Sequence, residues 1–126
     1  MTALGSTVRG PLAHVECFAA PAGVSLVRFS TEEVTSMCPV TGQPDISGVD
    51  IDYAPAERCV ESKSLKLYLW GFRDRAVFAE AMAAEIAAEI AARARPGWVR
   101  VTVRQRPRGG IALSAVSEIG VRPPSA

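Results

Sequence analysis

The chain reads as an α+β domain in which an antiparallel four-stranded sheet carries its helices on one face. Three observations predict this. Val24 to Phe29 and Val49 to Tyr53 are short stretches rich in β-branched or aromatic residues; an Ala-rich segment after Asp74 repeats apolar residues every four positions; and WVRVTVRQR, followed by IALSAV, returns to the two-residue period of strands. Taken in order, these are two strands, one or two helices and two strands. A sheet so built buries one face under the helices, and closure with copies of itself into an oligomeric barrel would cover the other and remove its edges.

The elements follow from their residues. Residues 1–20 begin with small residues, Gly and Pro and are expected to form a loose N-terminal segment, residues 21–120 the domain, and VRPPSA (121–126) a flexible tail. Val49, Ile51 and Tyr53 alternate with Asp50 and Asp52, which gives the second strand one wet face. SKSLKLYLWGF fits both periods: Leu65, Leu67 and Leu69 alternate, whereas Leu65, Tyr68, Leu69 and Phe72 follow helical spacing. Lys and Leu propagate helices and Ser62 or Ser64 can cap one, so the segment is read as a helix. Phe78, Met82, Ile86 and Ile90 mark a long amphipathic helix, with Asp74 as its cap and Pro96 and Gly97 as its stop. Val99, Val101 and Val103 against Arg100, Thr102 and Arg104 give the third strand, and Pro-Arg-Gly-Gly turns it into the fourth as a hairpin.

Composition narrows the function. With 126 residues the chain suits one domain, and so small a core favours oligomers. Fourteen Lys and Arg against thirteen Asp and Glu leave a net charge of +1, which offers no global field for nucleic acid or a membrane surface. No apolar run is long enough to span a bilayer and no secretory signal opens the chain, so a cytoplasmic location is expected. Three cysteines without a CxxC pair, and His14 as the single histidine, argue against a disulfide framework and a zinc site; no metal is expected.

The chemistry concentrates around Cys38. TSMCPVTGQPD packs Pro39, Gly42 and Pro44 about the thiol, a density of breakers that puts Cys38 on a structured loop whose amides can form an anion-binding nest. Asp45 follows seven residues later and could fold back towards the sulfur. A thiolate nucleophile with an acid beside it suits addition to a multiple bond; acyl transfer would want a histidine. A loop cysteine is more often a small buried hydrophobe, and composition alone does not overturn that reading. Cys17, Cys59 and His14 carry no such signal. Lys63 and Lys66 share one helical face near its start, where ammonium groups and amides can hold phosphate, although a solvated basic face explains them too. No GxGxxG or P-loop is present, so a dinucleotide would need a site unlike the Rossmann one.

Three segments together, TSMCPVTGQPD, VESKSLKLYLWGFR and PRGGI, resemble the NADPH-dependent 7-cyano-7-deazaguanine reductases of queuosine biosynthesis in their short, single-module form. The resemblance implies the tunnelling fold, a homo-oligomeric barrel with sites between subunits, NADPH as cofactor and the nitrile 7-cyano-7-deazaguanine as substrate. It implies that Cys38 adds to the nitrile carbon to give a thioimide, that Asp45 supplies protons, and that two hydrides complete reduction to the aminomethyl product. Val60, Glu61 and Ser62 then match the substrate contacts, while Ser62, Lys63 and Lys66 with Arg108 and Gly109 match the NADPH contacts. One position departs from the pattern. A His-Glu pair is usual after the phenylalanine matching Phe78, and here Ala79 and Glu80 stand there. Glu80 can still grip the N–H edge of a deazaguanine, but no imidazole assists it. Two alternatives remain: release of the same thioimide to an amine, and a silent deazapurine-binding homologue.

Overall fold

The computed structural model describes residues 10–126. Eight elements follow one another: β1 (Cys17–Ala19), β2 (Val27–Met37), β3 (Pro44–Ala54), β4 (Arg58–Val60), α1 (Ser62–Trp70), α2 (Ala79–Ala94), β5 (Trp98–Arg108) and β6 (Ile111–Gly120). The predicted α+β class is what forms. β2, β3, β5 and β6 make one antiparallel sheet in that order, and β1 pairs with β4 in a separate two-stranded ladder.

The sheet's two faces differ as the alternation dictates. Val49, Ile51 and Tyr53 of β3 and Val99, Val101 and Val103 of β5 are all nearly inaccessible to water and meet Met82, Ile86 and Ile90 of α2 in one core. Fully burying each such side chain stabilises the fold by roughly 1.5–3 kcal/mol. The opposite face is polar and cross-linked: Arg28 pairs with Asp52 at 2.8 Å, and Arg104 reaches both Asp50 at 3.0 Å and Glu32 at 2.9 Å. Arg104 can lie flat across β3 because Gly48 lies beneath it; a Cβ there would come within 2.6 Å of its Nη1.

Several expectations need correction. The first strand begins at Val27 rather than Val24 and runs past Phe29 through the polar stretch to Met37, with a register shift between Thr31 and Val34. β1 and β4 were not foreseen, and Val15 with β1 packs into the fold inside the segment read as loose; residues 1–9 of that segment lie outside the described residues. The cap of α1 is Glu61 rather than a serine: its carboxylate accepts from the amides of Lys63 at 2.8 Å and Ser64 at 2.7 Å. The N-cap of α2 is Phe78, which offers no side-chain cap, so Asp74 does not serve, and the helix ends through Arg95 in the left-handed conformation just before Pro96. Among the described residues no helix is long and apolar enough to cross a membrane.

Candidate active site

Cys38 sits in the turn that joins β2 to β3, as its breakers require. Its amide donates to the Gln43 carbonyl at 2.8 Å and its carbonyl accepts from Gly42 at 2.9 Å, closing a tight loop in which Gly42 takes a φ of +71°. The half-buried sulfur faces donors: the Thr41 hydroxyl, the Thr41 amide and the Val40 amide pull its pKa below the ordinary thiol value, against opposition from the Asp45 carboxylate. Hydrogen bonds to the charged form favour it.

Asp45 is the second residue of β3 rather than part of the loop. It stands across the ladder from Ser36, and both are almost wholly buried, at 3 % and 2 % exposure. A carboxylate that deep needs a partner. Arg108, at the far end of β5, provides it: Nη1 donates to Asp45 Oδ1 at 2.5 Å while Nη2 donates to Gln43 Oε1 at 2.5 Å. Gly109 and Gly110 follow with φ of +61° and +82°, the positive values that turn β5 tightly into β6. Beside this cluster, Met37 donates to the Arg75 carbonyl and accepts from the Val77 amide, which brings the lead into α2 alongside the end of β2. Ala79 is buried at 4 % exposure, and Glu80, in the first turn of α2, faces solvent.

Val60 and Glu61 lie towards the opposite end of the sheet, and α1 carries Ser62 and Lys66 over β2. Val60 donates its amide to the Tyr53 hydroxyl at 2.8 Å, and Tyr53 is eight residues from Asp45 along β3. At about 3.4 Å per residue that is roughly 27 Å. Val60, Glu61 and Ser62 border a cavity of about 600 Å³ with Phe18, Val27 and Tyr53, and Ser62 and Lys66 line a second groove of about 480 Å³ between α1 and β2. One chain therefore brings together Cys38, Asp45, Arg108 and Gly109, beside the lead into α2, and sets Val60 and Glu61 apart from them, with Ser62 and Lys66 on the groove that runs along β2 as far as Thr35.

Two details alter the roles expected from residue types. The Glu61 carboxylate caps α1, and the same bonds occupy the Lys63 and Ser64 amides at the helix terminus. The Arg108 guanidinium is committed to Asp45 and Gln43. Thr41, Gln43 and Ser36 had no assigned role; Thr41 and Gln43 lie inside the CPVTGQPD motif, which was the available signal, whereas nothing local marked Ser36.

Comparisons with known proteins agree on the kinship. A family model described as QueF-like protein matches residues 44–123. A protein of Rhodopseudomonas palustris (strain BisB5) named NADPH-dependent 7-cyano-7-deazaguanine reductase is 49% identical over 98 residues, 78% of this chain and 62% of that relative. One of the same name from Anaeromyxobacter sp. (strain Fw109-5) is 48% identical over 97 residues, 77% of this chain and 80% of the relative. The chain thus spans under two thirds of the length of the first of these curated relatives. Among solved structures, that of the archaeosine synthase QueF-Like in the apo form superposes with a TM-score of 0.73 at 28% identity, covering 79% of this chain and 97% of its own. A match across more than half the sequence, with relatives near one-half identity, leaves one conclusion: the chain belongs to the QueF-like protein family.

Proposed function

We propose that the chain is an NADPH-dependent reductase of the nitrile group of 7-cyano-7-deazaguanine, acting in queuosine biosynthesis in the cytoplasm through a covalent thioimide on Cys38. The observation that carries this reading is the Cys38 turn: a thiol with a lowered pKa faces hydroxyl and amide donors, with a buried, ion-paired carboxylate close by. A nitrile carbon is a weak electrophile until sulfur adds to it; the resulting C=N carbon is an acceptor for hydride. Cys38 forms the C–S bond, and Asp45 is the group placed to move protons to the developing nitrogen. The donor set on α1 fits a phosphate-bearing cofactor, with the Ser62 hydroxyl and the Lys63 and Lys66 ammonium groups along its first two turns. When bound, NADPH supplies the hydride, twice per nitrile.

The separation of about 27 Å between the Asp45 and Tyr53 ends exceeds the reach of one deazapurine. A site that used both Cys38 and Val60 would draw them from two copies of the chain, in keeping with a homo-oligomeric barrel of the tunnelling fold. Mixing Cys38→Ala chains with Lys66→Ala chains, after dissociation and reassembly, is expected to recover part of the activity that each lacks. No recovery, with mixed oligomers demonstrated by native mass spectrometry, contradicts shared sites. The test of the reaction itself is loss of NADPH absorbance on addition of the nitrile, in the two-to-one ratio the reduction demands.

A second reading has an observation behind it. The solved structure named as an archaeosine synthase superposes on the chain with a TM-score of 0.73 at 28% identity. On that reading the Cys38 thioimide is released to an amine and no NADPH is consumed. A silent binder, the third possibility, rests on Ala79 and would form no adduct at all.

A further inference from the structure

We infer that Arg108 is a positioning residue for Asp45: it holds the carboxylate as an anion beside the Cys38 turn, so that the one proton the pair shares rests on sulfur before the nitrile arrives. The inference deepens the proposed role of Cys38 and Asp45 and rests on it. Arg108 is the last residue of β5, and the β5–β6 ladder shifts register between Gln105 and Arg108. Such irregularities re-aim a side chain, and this one ends with both terminal nitrogens of Arg108 on the Cys38 hairpin, at Asp45 and at Gln43. The pairing is asymmetric in exposure: the Asp45 side chain is 2% accessible and that of Arg108 is 41% accessible. A buried carboxylate stays ionised only when it is paired, so removing the cation favours its protonation.

The other groups around Asp45 do not substitute for the arginine. Ser36 across β2 is neutral, Cys38 contributes a thiol, Gln43 an amide, and Arg106, two residues earlier on β5, is exposed. Arg75, on the segment beside the end of β2, is bound to Glu85 at 2.6 Å. With Asp45 ionised at rest, addition balances without any outside acid. The Cys38 Sγ–C bond forms, one π bond of the nitrile breaks, and the thiol proton passes through the Asp45 carboxylate to the nitrile nitrogen, giving a neutral thioimide.

The test compares the rate of adduct formation against pH, read by intact-mass spectrometry, for the unmodified chain, Arg108→Gln and Arg108→Lys. Loss of the cation leaves the buried carboxylate without its charged partner and favours its neutral form, so the acidic limb of the profile should move to higher pH in Arg108→Gln and largely return in Arg108→Lys. A uniform loss of rate with the limb unmoved overturns the inference. A substrate-free arm separates it from the reading beneath it. With aspartate side-chain carboxyl carbons labelled by ¹³C, the four aspartates titrate individually by NMR, Asp45 being assigned from Asp45→Asn. Asp45 should titrate at higher pH in Arg108→Gln than in the unmodified chain. Equal titration refutes the hold of Arg108, whereas absence of an adduct at every pH refutes only the role of Cys38.

Discussion

The two ends of β3 hold the same kind of chemistry in opposite states. At the Tyr53 end, Cys17 and Cys59 sit where β1 meets β4; burial pushes the Cys17 thiol up, and burial also pushes the Tyr53 phenol up, to about 12. At the Asp45 end, Cys38 stands on a five-residue reversal whose donors pull its thiol down. What lowers the Cys38 thiol is a set of donors aimed at the sulfur, the Thr41 hydroxyl first and the amides of the turn after it. A paired strand sends its amides sideways into the ladder, whereas the Pro39–Gly42 turn turns them inward towards the sulfur.

The largest effect that would break this comparison is loss of the thiol itself. Cys38→Ala should abolish both adduct and turnover, while Cys17→Ala and Cys59→Ala should keep them, as read by intact mass and NADPH absorbance; equal loss from all three would sink the assignment of one nucleophile. Next in size, Asp45→Asn should slow turnover by about 10²–10⁴-fold, the usual worth of a positioned proton carrier, while leaving some adduct. Steady-state kinetics decide it, and undiminished turnover would remove Asp45 from the chemistry.

A smaller effect sharpens the contrast without any substrate. Alkylation follows the thiolate, so the pH at which Cys38 reaches half-maximal iodoacetamide labelling should lie below the ordinary thiol value, and that of Cys17 above it. Peptide mass spectrometry resolves the two sites, and a reversed order would contradict the account of both ends. The smallest concerns Ala79. The position is packed in the core at 4 % exposure, so restoring an imidazole there by Ala79→His should cost about 1–3 kcal/mol of stability through overpacking, measured by thermal denaturation. An unchanged midpoint would show that the ring finds open space and that the histidine can be tested for its effect on rate.

Much of the fold was legible because periodicity survives where one face is buried. Val99, Val101 and Val103, and the recurrence of Met82, Ile86 and Ile90, are direct prints of the core, whereas Phe78, which opens the same recurrence, is exposed at the N-cap of α2. β2 was harder. The register shift between Thr31 and Val34 leaves Glu32 and Glu33 together on the surface and breaks the alternation that would have extended the strand to Met37. β1 and β4 are three residues each and exist only through their pairing. At the site, Cys38 and Asp45 share one hairpin, so their motif could mark them. Arg108 joins them from 63 residues away, a contact no local pattern encodes. The cap of α1 was misread for a similar reason: serines satisfy the usual preference, but Glu61 occupies the position from which a longer carboxylate bridges two amides at once.

The central claim, that Cys38 forms a covalent thioimide on the way to a reduced product, has one direct measurement. The unmodified protein is mixed with 7-cyano-7-deazaguanine and its intact mass is recorded before and after NADPH is added. A mass increase equal to the whole nitrile is expected, located at Cys38 by peptide mapping and disappearing with NADPH as the aminomethyl product accumulates. An adduct that NADPH leaves untouched, or no adduct on a folded chain, would contradict it.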